Sequence, residues 1–259
     1  MYPYIHILGR EIGAYGLCML LGFSLAAVLA LFKGKPKGLI AEDLLIVGAF
    51  TLGFALIGGS LLYSLVTYSP TEIVGFICSG DFSFLGNGIV FYGGLIGGIF
   101  GAFLGIRVAQ CSIALIEKSV VPFIPLGHAV GRIGCVMAGC CHGFAYDGPL
   151  ALYYPSSVIG LSQEQGYFPV QPLESLINIG LCLFLLRYEK RAKYALDTLF
   201  MYLGSYGISR FFLEMLRGDA ARGIWNALST SQIISILLLC ISLMRMLWKK
   251  KSSAEQALK

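Results

Sequence analysis

Seven apolar stretches of roughly membrane-spanning length recur along this chain. They run over Ile12–Phe32, Leu44–Val66, Gly88–Ile106, Ser119–Cys141, Pro172–Leu186, Ala195–Leu216 and Ser231–Trp248. A helix rises about 1.5 Å per residue, so most of these stretches can cross an apolar layer about 30 Å thick. Composition agrees. Charged residues make up 13% of the chain and hydrophobic ones 57%, too little charge to cover a soluble globule of this size, or to keep a chain disordered. The 33 glycines suit close contacts between membrane helices. Arg10 and Glu11 precede the first stretch and no small-residue cleavage site follows it, so it reads as a retained helix rather than a signal peptide.

Basic residues orient these spans. Of the 19 Lys and Arg, 14 fall in one set of loops, which includes Lys33–Lys37, Arg187–Lys193 and Arg245–Lys259. Only Arg10, Arg217 and Arg222 fall on the other side, and Arg132 and Arg210 lie within spans. Positive residues accumulate on the cytoplasmic side. The expected fold is therefore all-α: a polytopic integral membrane protein with seven transmembrane helices, N-terminus outside and C-terminus cytoplasmic. A single domain is expected over 1–248, followed by a basic tail at 249–259. Two outer segments, Thr67–Asn87 and His142–Gln171, are more than turns. The second is rich in Tyr, so it is expected at the membrane interface, in part as an amphipathic element. The net charge of +5 sets topology and gives no reason to expect nucleic-acid binding.

Charges inside spans are costly and mark sites. With this orientation, Arg132, Arg210 and Glu214 fall in the outer half of the membrane, with Arg217 at its boundary. Tyr15, Tyr92 and Glu174 fall at the same depth. Arginine presents a planar fork suited to phosphate, so this layer is expected to hold an anionic phospholipid head group. Arg210, Glu214 and Arg217 share one helix face by their spacing. Gly93/Gly97 and Gly94/Gly98 carry the spacing of close helix contacts. Of the eight cysteines, five stand singly. Cys135, Cys140 and Cys141 form a cluster with His142, which admits three readings: small packing residues, a functional thiol, or a metal site. The adjacent pair lacks the usual Cys-x2-Cys spacing, and no metal or cofactor is assigned from sequence.

Several of these segments resemble one family. Gly131-Arg132-Ile133-Gly134-Cys135-Val136-Met137-Ala138-Gly139-Cys140-Cys141-His142-Gly143 resembles the signature of the prolipoprotein diacylglyceryl transferases. Tyr15-Gly16-Leu17, Gly88–Gly97, Tyr206-Gly207 through Arg210, Glu214, Arg217 and Asp219, and Gln232–Ser235 resemble its other motifs in the same order. The resemblance implies seven spans in the bacterial inner membrane. It also implies transfer of diacylglyceryl from phosphatidylglycerol to the lipobox cysteine of a prolipoprotein, with release of glycerol phosphate. Arg132 and Arg210 match the essential arginines, Tyr15 and Gly143 match functional positions, and Glu214 and Arg217 match motif positions. Gly93, Gly94, Cys135, Cys140 and Cys141 are further candidate substrate contacts.

The chain departs from that family in places. Tyr92 stands where His is common before Gly-Gly. Cys135 and Ala138 replace Asn, Cys140 replaces an acidic residue, Ile57 or a neighbour stands at the place of an Arg, and Gln171-Pro172 replaces His-Pro. His142, then Glu174, are the candidate substitute bases. Two other readings stay open: a phospholipid-dependent transferase with another acceptor that uses Cys140 or Cys141, and a non-catalytic outer-leaflet transporter or thiol or metal sensor.

Overall fold

The computed structural model describes residues 3–7, 10–86, 88, 90–155, 158, 161–192, 194–218, 224–225 and 228–257, without the side chains of 7, 91–92, 224–225 and 249–257. The protein is a polytopic helical membrane protein. Five helical runs are long and apolar enough to cross a membrane: Ala14–Lys37, Ala41–Thr67, Ile113–Ala138, Val170–Tyr188 and Thr230–Trp248. The apolar part of a sixth, Gly93–Val108, is shorter. A further helix, Asp197–Met215, carries Asp197, Arg210 and Glu214. Large apolar side chains such as Leu20, Leu45, Ile96, Leu176 and Leu237 are exposed, while Glu174, Asn178, Arg210 and Glu214 are buried. A soluble protein distributes these residue types the other way round, and lipid is the solvent that fits the exposed set.

The chain divides into two compact units, Lys33–Ile116 and a second formed by Met1–Phe32 with Glu117–Lys259. In the first, α2 (Ala41–Thr67) packs along α4 (Phe91–Val108). The contact is made by glycine. Side chains added at Gly93, Gly97 and Gly101 would meet the α2 backbone at Gly58, Phe54 and Phe50, and one at Gly58 would meet Gly93 and Gly97. Gly94 and Gly98 sit at ordinary contact distance from Ala55. The four-residue repeat thus sets how closely the two backbones approach. The segment Thr67–Asn87 contains a helix, α3 (Pro70–Ser79). Its start is a capping box. The Ser69 hydroxyl accepts from the Glu72 N–H, and the Glu72 carboxylate accepts from the Ser69 N–H at 2.8 Å, which satisfies two otherwise orphaned groups.

The second unit holds β1 (Tyr4–Ile7), β2 (Arg10–Gly13), α1 (Ala14–Gly34 to Phe32), α6 (Ile124–Ala138), α7 (Val170–Tyr188), α8 (Asp197–Met215), β3 (Ile224–Trp225), β4 (Leu228–Ser229) and α9 (Thr230–Ala257). Each pair of short strands forms an antiparallel hairpin, a small β content that the helical periodicity did not signal. Helix α5 (Ile113–Val120) leads into α6 through a 3-10 turn at Val121–Phe123. From α5, the buried Glu117 carboxylate accepts from the Thr198 and Leu199 N–H groups at 2.7 and 3.1 Å. A carboxylate is favoured at these unpaired N–H groups at the start of α8. Small residues again govern approach. Gly22 lies against Gly127 and Val130, Gly134 against Tyr15 and Cys18, and Gly204 and Gly207 against Ser242 and Ser235 of α9.

Helix α7 carries a buried polar stripe, Gln171, Glu174, Ser175 and Asn178, at helical spacing. The Ser175 hydroxyl donates to the Ala129 carbonyl at 2.9 Å, fastening α7 to α6. The segment His142–Pro169 is not helical in its described part. Isolated antiparallel bridges join Ala145 and Leu152 to Tyr167, and Tyr154, Val158 and Tyr167 form its small apolar core.

We expect Gly97→Leu to push α2 and α4 apart, because the added side chain meets backbone rather than a movable side chain. Overpacking of this kind costs at least about 1–3 kcal/mol. Thermal unfolding of the detergent-solubilised protein should fall for Gly97→Leu, and much less for Gly53→Leu, where a Cβ meets nothing within 4 Å.

Candidate active site

Five ionisable residues of the second unit, Arg132, Glu174, Arg210, Glu214 and Arg217, form one alternating chain. Arg132 on α6 donates from Nη2 to Glu174 Oε1 on α7 at 2.9 Å. The other oxygen of Glu174 lies 3.8 Å from Arg210 Nη1 on α8. Arg210 Nη2 donates to Glu214 Oε2 at 2.6 Å, and Glu214 Oε2 is 3.7 Å from Arg217 Nη1. Three guanidinium groups therefore share two carboxylates, from three helices and the residue just past α8. The spacing that put Arg210, Glu214 and Arg217 on one face is realised. Across helices, Arg132 meets Glu174.

His128, which the sequence reading missed, joins the chain. Its Nε2 lies 3.7 Å from Glu174 Oε1, and its ring packs on Tyr206. The signal was available, since His128 stands one helical turn before Arg132 and shares its face.

Both central arginines keep unused donors. Arg132 Nε and Arg210 Nη1 are buried and have no hydrogen-bond acceptor among the described residues. Leaving a buried donor unmade costs about 1–3 kcal/mol, more for a charged group. A guanidinium held in place by carboxylates, with donors still to spend, is suited to receive a multidentate anion such as a phosphate diester.

The turn after α6 brings the cysteines beside this chain. Cys135, Cys140 and Cys141 have their sulfur atoms within 4.8 Å of one another. Arg132 Nη1 lies 3.7 Å from the Cys135 sulfur. Hydrogen bonds from Cys135 and Cys140 draw the Cys141 thiol below its ordinary range, helped by Arg217 and Arg132 and opposed by burial. The Cys140 thiol is pushed up by its hydrogen bonds with Cys135 and Cys141 and by burial.

Gln171 buttresses the turn. Its amide donates to the Cys140 carbonyl at 3.0 Å and to the Tyr154 hydroxyl at 2.9 Å. Burial pushes the Tyr154 hydroxyl pKa up, and the Gln171 hydrogen bond works against that.

The remaining sequence candidates fall as follows. Gly143 bridges Arg217 in antiparallel fashion, with Gly218 N–H donating to the His142 carbonyl and Phe144 N–H to that of Leu216, both at 3.1 Å. A side chain at Gly218 would meet Gly143 and Phe144, so this close pairing requires glycine there, and one at Gly143 would meet Phe168. The His142 ring lies with Nδ1 2.9 Å from the Gly143 carbonyl oxygen and its edge on Tyr167. Its contacts among the described residues are with the outer segment rather than with the arginines. Tyr15 lies against Gly134, within electrostatic reach of Arg132 and the three cysteines. Gly93 and Gly94 stand in the α2–α4 contact of the other unit. The Tyr92 side chain and Asp219 lie outside the described residues.

A family profile described as prolipoprotein diacylglyceryl transferase matches residues 3–248. The chain belongs to this family. A relative from Clostridium perfringens, named phosphatidylglycerol–prolipoprotein diacylglyceryl transferase 2, is 34% identical over 233 residues, covering 90% of this chain and 89% of its own. A Clostridium tetani protein named phosphatidylglycerol–prolipoprotein diacylglyceryl transferase is 31% identical, over 92% of this chain and 93% of its own. One of the same name from Clostridioides difficile is 28% identical, over 89% and 88%. In this member of the family, the arginines carried over by resemblance, Arg132 and Arg210, are the two that Glu174 bridges.

Removing Glu174 should therefore damage the scaffold of the site. Breaking one partner out of a buried ion pair costs about 3–5 kcal/mol. Glu174→Gln is expected to lower the unfolding midpoint of the purified protein markedly and Glu174→Asp to restore part of it. Wild-type stability of Glu174→Gln would show that the chain of charges does not depend on this carboxylate.

Proposed function

We propose that this chain is a membrane transferase that moves the diacylglyceryl group of phosphatidylglycerol to the lipobox cysteine thiol of a prolipoprotein. A thioether forms and glycerol phosphate leaves. The observation that carries this reading is the pair of arginines, Arg132 and Arg210, fixed by one buried carboxylate and each retaining a buried donor with no hydrogen-bond acceptor among the described residues, Glu174 standing 3.8 Å from that of Arg210. Transfer from a phosphodiester needs fixed positive charge where the phosphate departs, and a guanidinium fork supplies it without a proton shift. The names of the relatives support the choice of donor and acceptor.

In this reading Arg132 and Arg210 bind the phosphate and stabilise the leaving group. Glu174, Glu214 and Arg217 orient them. Tyr15, Gly143, Cys135, Cys140 and Cys141 lie on the acceptor side, with His142 and then Glu174 as candidate bases. Tyr92, Gly93 and Gly94 are assigned on the resemblance alone. The protein crosses the bacterial cytoplasmic membrane seven times as one domain over 1–248, with its N-terminus outside, its basic tail inside, and the site open to the outer leaflet. The 14-to-3 division of basic residues between the two sets of loops supports that orientation. Phosphatidylglycerol or a similar anionic phospholipid and a prolipoprotein are its substrates.

The test is transfer from labelled phosphatidylglycerol to a lipobox peptide by the purified protein in vesicles. Arg132→Ala and Arg210→Ala should each lower the rate by at least about 10²-fold, the scale for removing a fixed donor from a transition state, while both variants still insert in the membrane. Wild-type rates in both would overturn the proposal.

A further inference from the structure

The thiol cluster is built by the backbone. Gly139 leaves α6 with φ +71, the Gly139 N–H returns to the Val136 carbonyl at 3.3 Å, and the Cys140 N–H returns to that of Cys135 at 3.2 Å. This pair of bonds is a Schellman ending, which sets the residue after the glycine against the one five positions earlier. Cysteine occupies both places. Cys141 follows with φ +56, in the left-handed region that a residue with a Cβ adopts only when its surroundings impose it. That conformation turns the third sulfur to the same point, within the 4.8 Å that encloses all three. All three are free thiols, and they grade from buried (Cys135) through half-buried (Cys141) to exposed (Cys140). The cluster is closed on the helix side and open on the other.

Zinc bound by thiolates at about 2.3 Å in a tetrahedral site needs its sulfurs roughly 3.8 Å apart. The cluster reaches that spacing by side-chain adjustments of about 1 Å or less. Three protein ligands with a fourth position open is the arrangement of zinc sites that act on a substrate, whereas purely structural sites are closed by four. The Arg132 guanidinium beside Cys135 offsets the negative charge that three thiolates around one dication carry. The absence of Cys-x2-Cys spacing is not an obstacle here, because the Schellman turn brings Cys135 and Cys140 together instead.

We propose that Cys135, Cys140 and Cys141 bind one zinc ion whose open fourth position takes the thiol of the acceptor cysteine. This rests on the transfer reaction proposed above and supplies its nucleophile. A thiol loses its proton when it coordinates zinc, and the proton passes to water on the exposed Cys140 side. The acceptor sulfur then attacks the glyceryl carbon that carries the phosphate oxygen. The carbon–sulfur bond forms, the carbon–oxygen bond breaks, and its electron pair goes to the phosphate held by Arg132 and Arg210. Neither zinc nor sulfur changes oxidation state.

The full-length chain, purified in detergent from zinc-supplemented cells, should carry about one zinc per chain. Cys135→Ser and Cys141→Ser should each lose it, and Cys240→Ser should keep it. Loaded with cobalt, the wild-type protein should show thiolate-to-metal absorption, and a lipobox peptide should shift the cobalt bands while its Cys→Ser counterpart does not. Metal removal from the wild-type protein by a chelator gives the same readout without a substitution that could disturb folding.

Zinc-free wild-type protein after zinc exposure, a disulfide joining two of the three cysteines, or a cobalt spectrum indifferent to the cysteine peptide would each overturn the proposal. So would wild-type transfer rates in the chelated protein and both serine variants, and in that case the transferase reading survives. If zinc and peptide bind as described but phosphatidylglycerol is never consumed, the transferase reading fails and the metal site stands.

Discussion

The second unit is organised by the cost of keeping charge away from water. Three guanidinium groups cannot sit unpaired within apolar helices. Glu174 and Glu214 resolve this by standing between them, so that Arg132, Arg210 and Arg217 are linked through shared carboxylates. The arrangement fixes the relation of α6, α7 and α8, since each contributes one end of a pair. It also explains the polar stripe of α7. Glu174 needs a buried face, and Ser175, Asn178 and Gln171 occupy the rest of that face with bonds to the α6 backbone at Ala129, to Glu174 itself and to the cysteine turn.

Close approach of helices makes those short bonds reachable. Ser175 reaches a carbonyl of α6, and Ser242 of α9 reaches that of Phe200 on α8 where Gly204 leaves room. Glycine carries the same function between α2 and α4. At Gly143 and Gly218 it has a different one. There it lets two extended segments lie side by side next to Arg217, so the segment after α6 is tied by backbone bonds to the end of the charge chain.

Much of this was legible in the sequence, for physical reasons that also mark where the reading stopped. Each apolar stretch contains a helix because helical length and burial in lipid leave few alternatives for such a segment. The layer of ionisable residues could be read because charge is rare in this chain and topology gives depth. Depth is one coordinate only. It could not tell whether Arg132 meets Glu174 or Glu214, which depends on helix rotation. His128 was lost among apolar neighbours although its spacing to Arg132 gives it away. The capping box at Ser69 and Glu72 was readable as a helix start inside an assumed loop. The hairpins, of four and two residues per strand, are too short to show alternation. The cysteine cluster was visible as composition, but its geometry depends on two left-handed residues, Gly139 and Cys141, and only the first announces itself by residue type.

The donors of the two central arginines bear on what this network is suited to. A charge network that served only to hold helices together would be expected to close on itself, since each buried guanidinium donor left without an acceptor lowers stability. Among the described residues, Arg132 Nε has no hydrogen-bond acceptor, and Arg210 Nη1 has Glu174 no nearer than 3.8 Å. Such donors are in place before a ligand arrives, so little reorganisation is needed when negative charge develops on it. The same logic extends to the thiols. Arg132 contacts both Glu174 and Cys135, which makes one side chain the link between the place suited to a departing phosphate and the place suited to an incoming sulfur. Arg132 thus touches both the carboxylates and the thiols, whereas the partners of Arg210 are Glu174, Glu214 and Ser231.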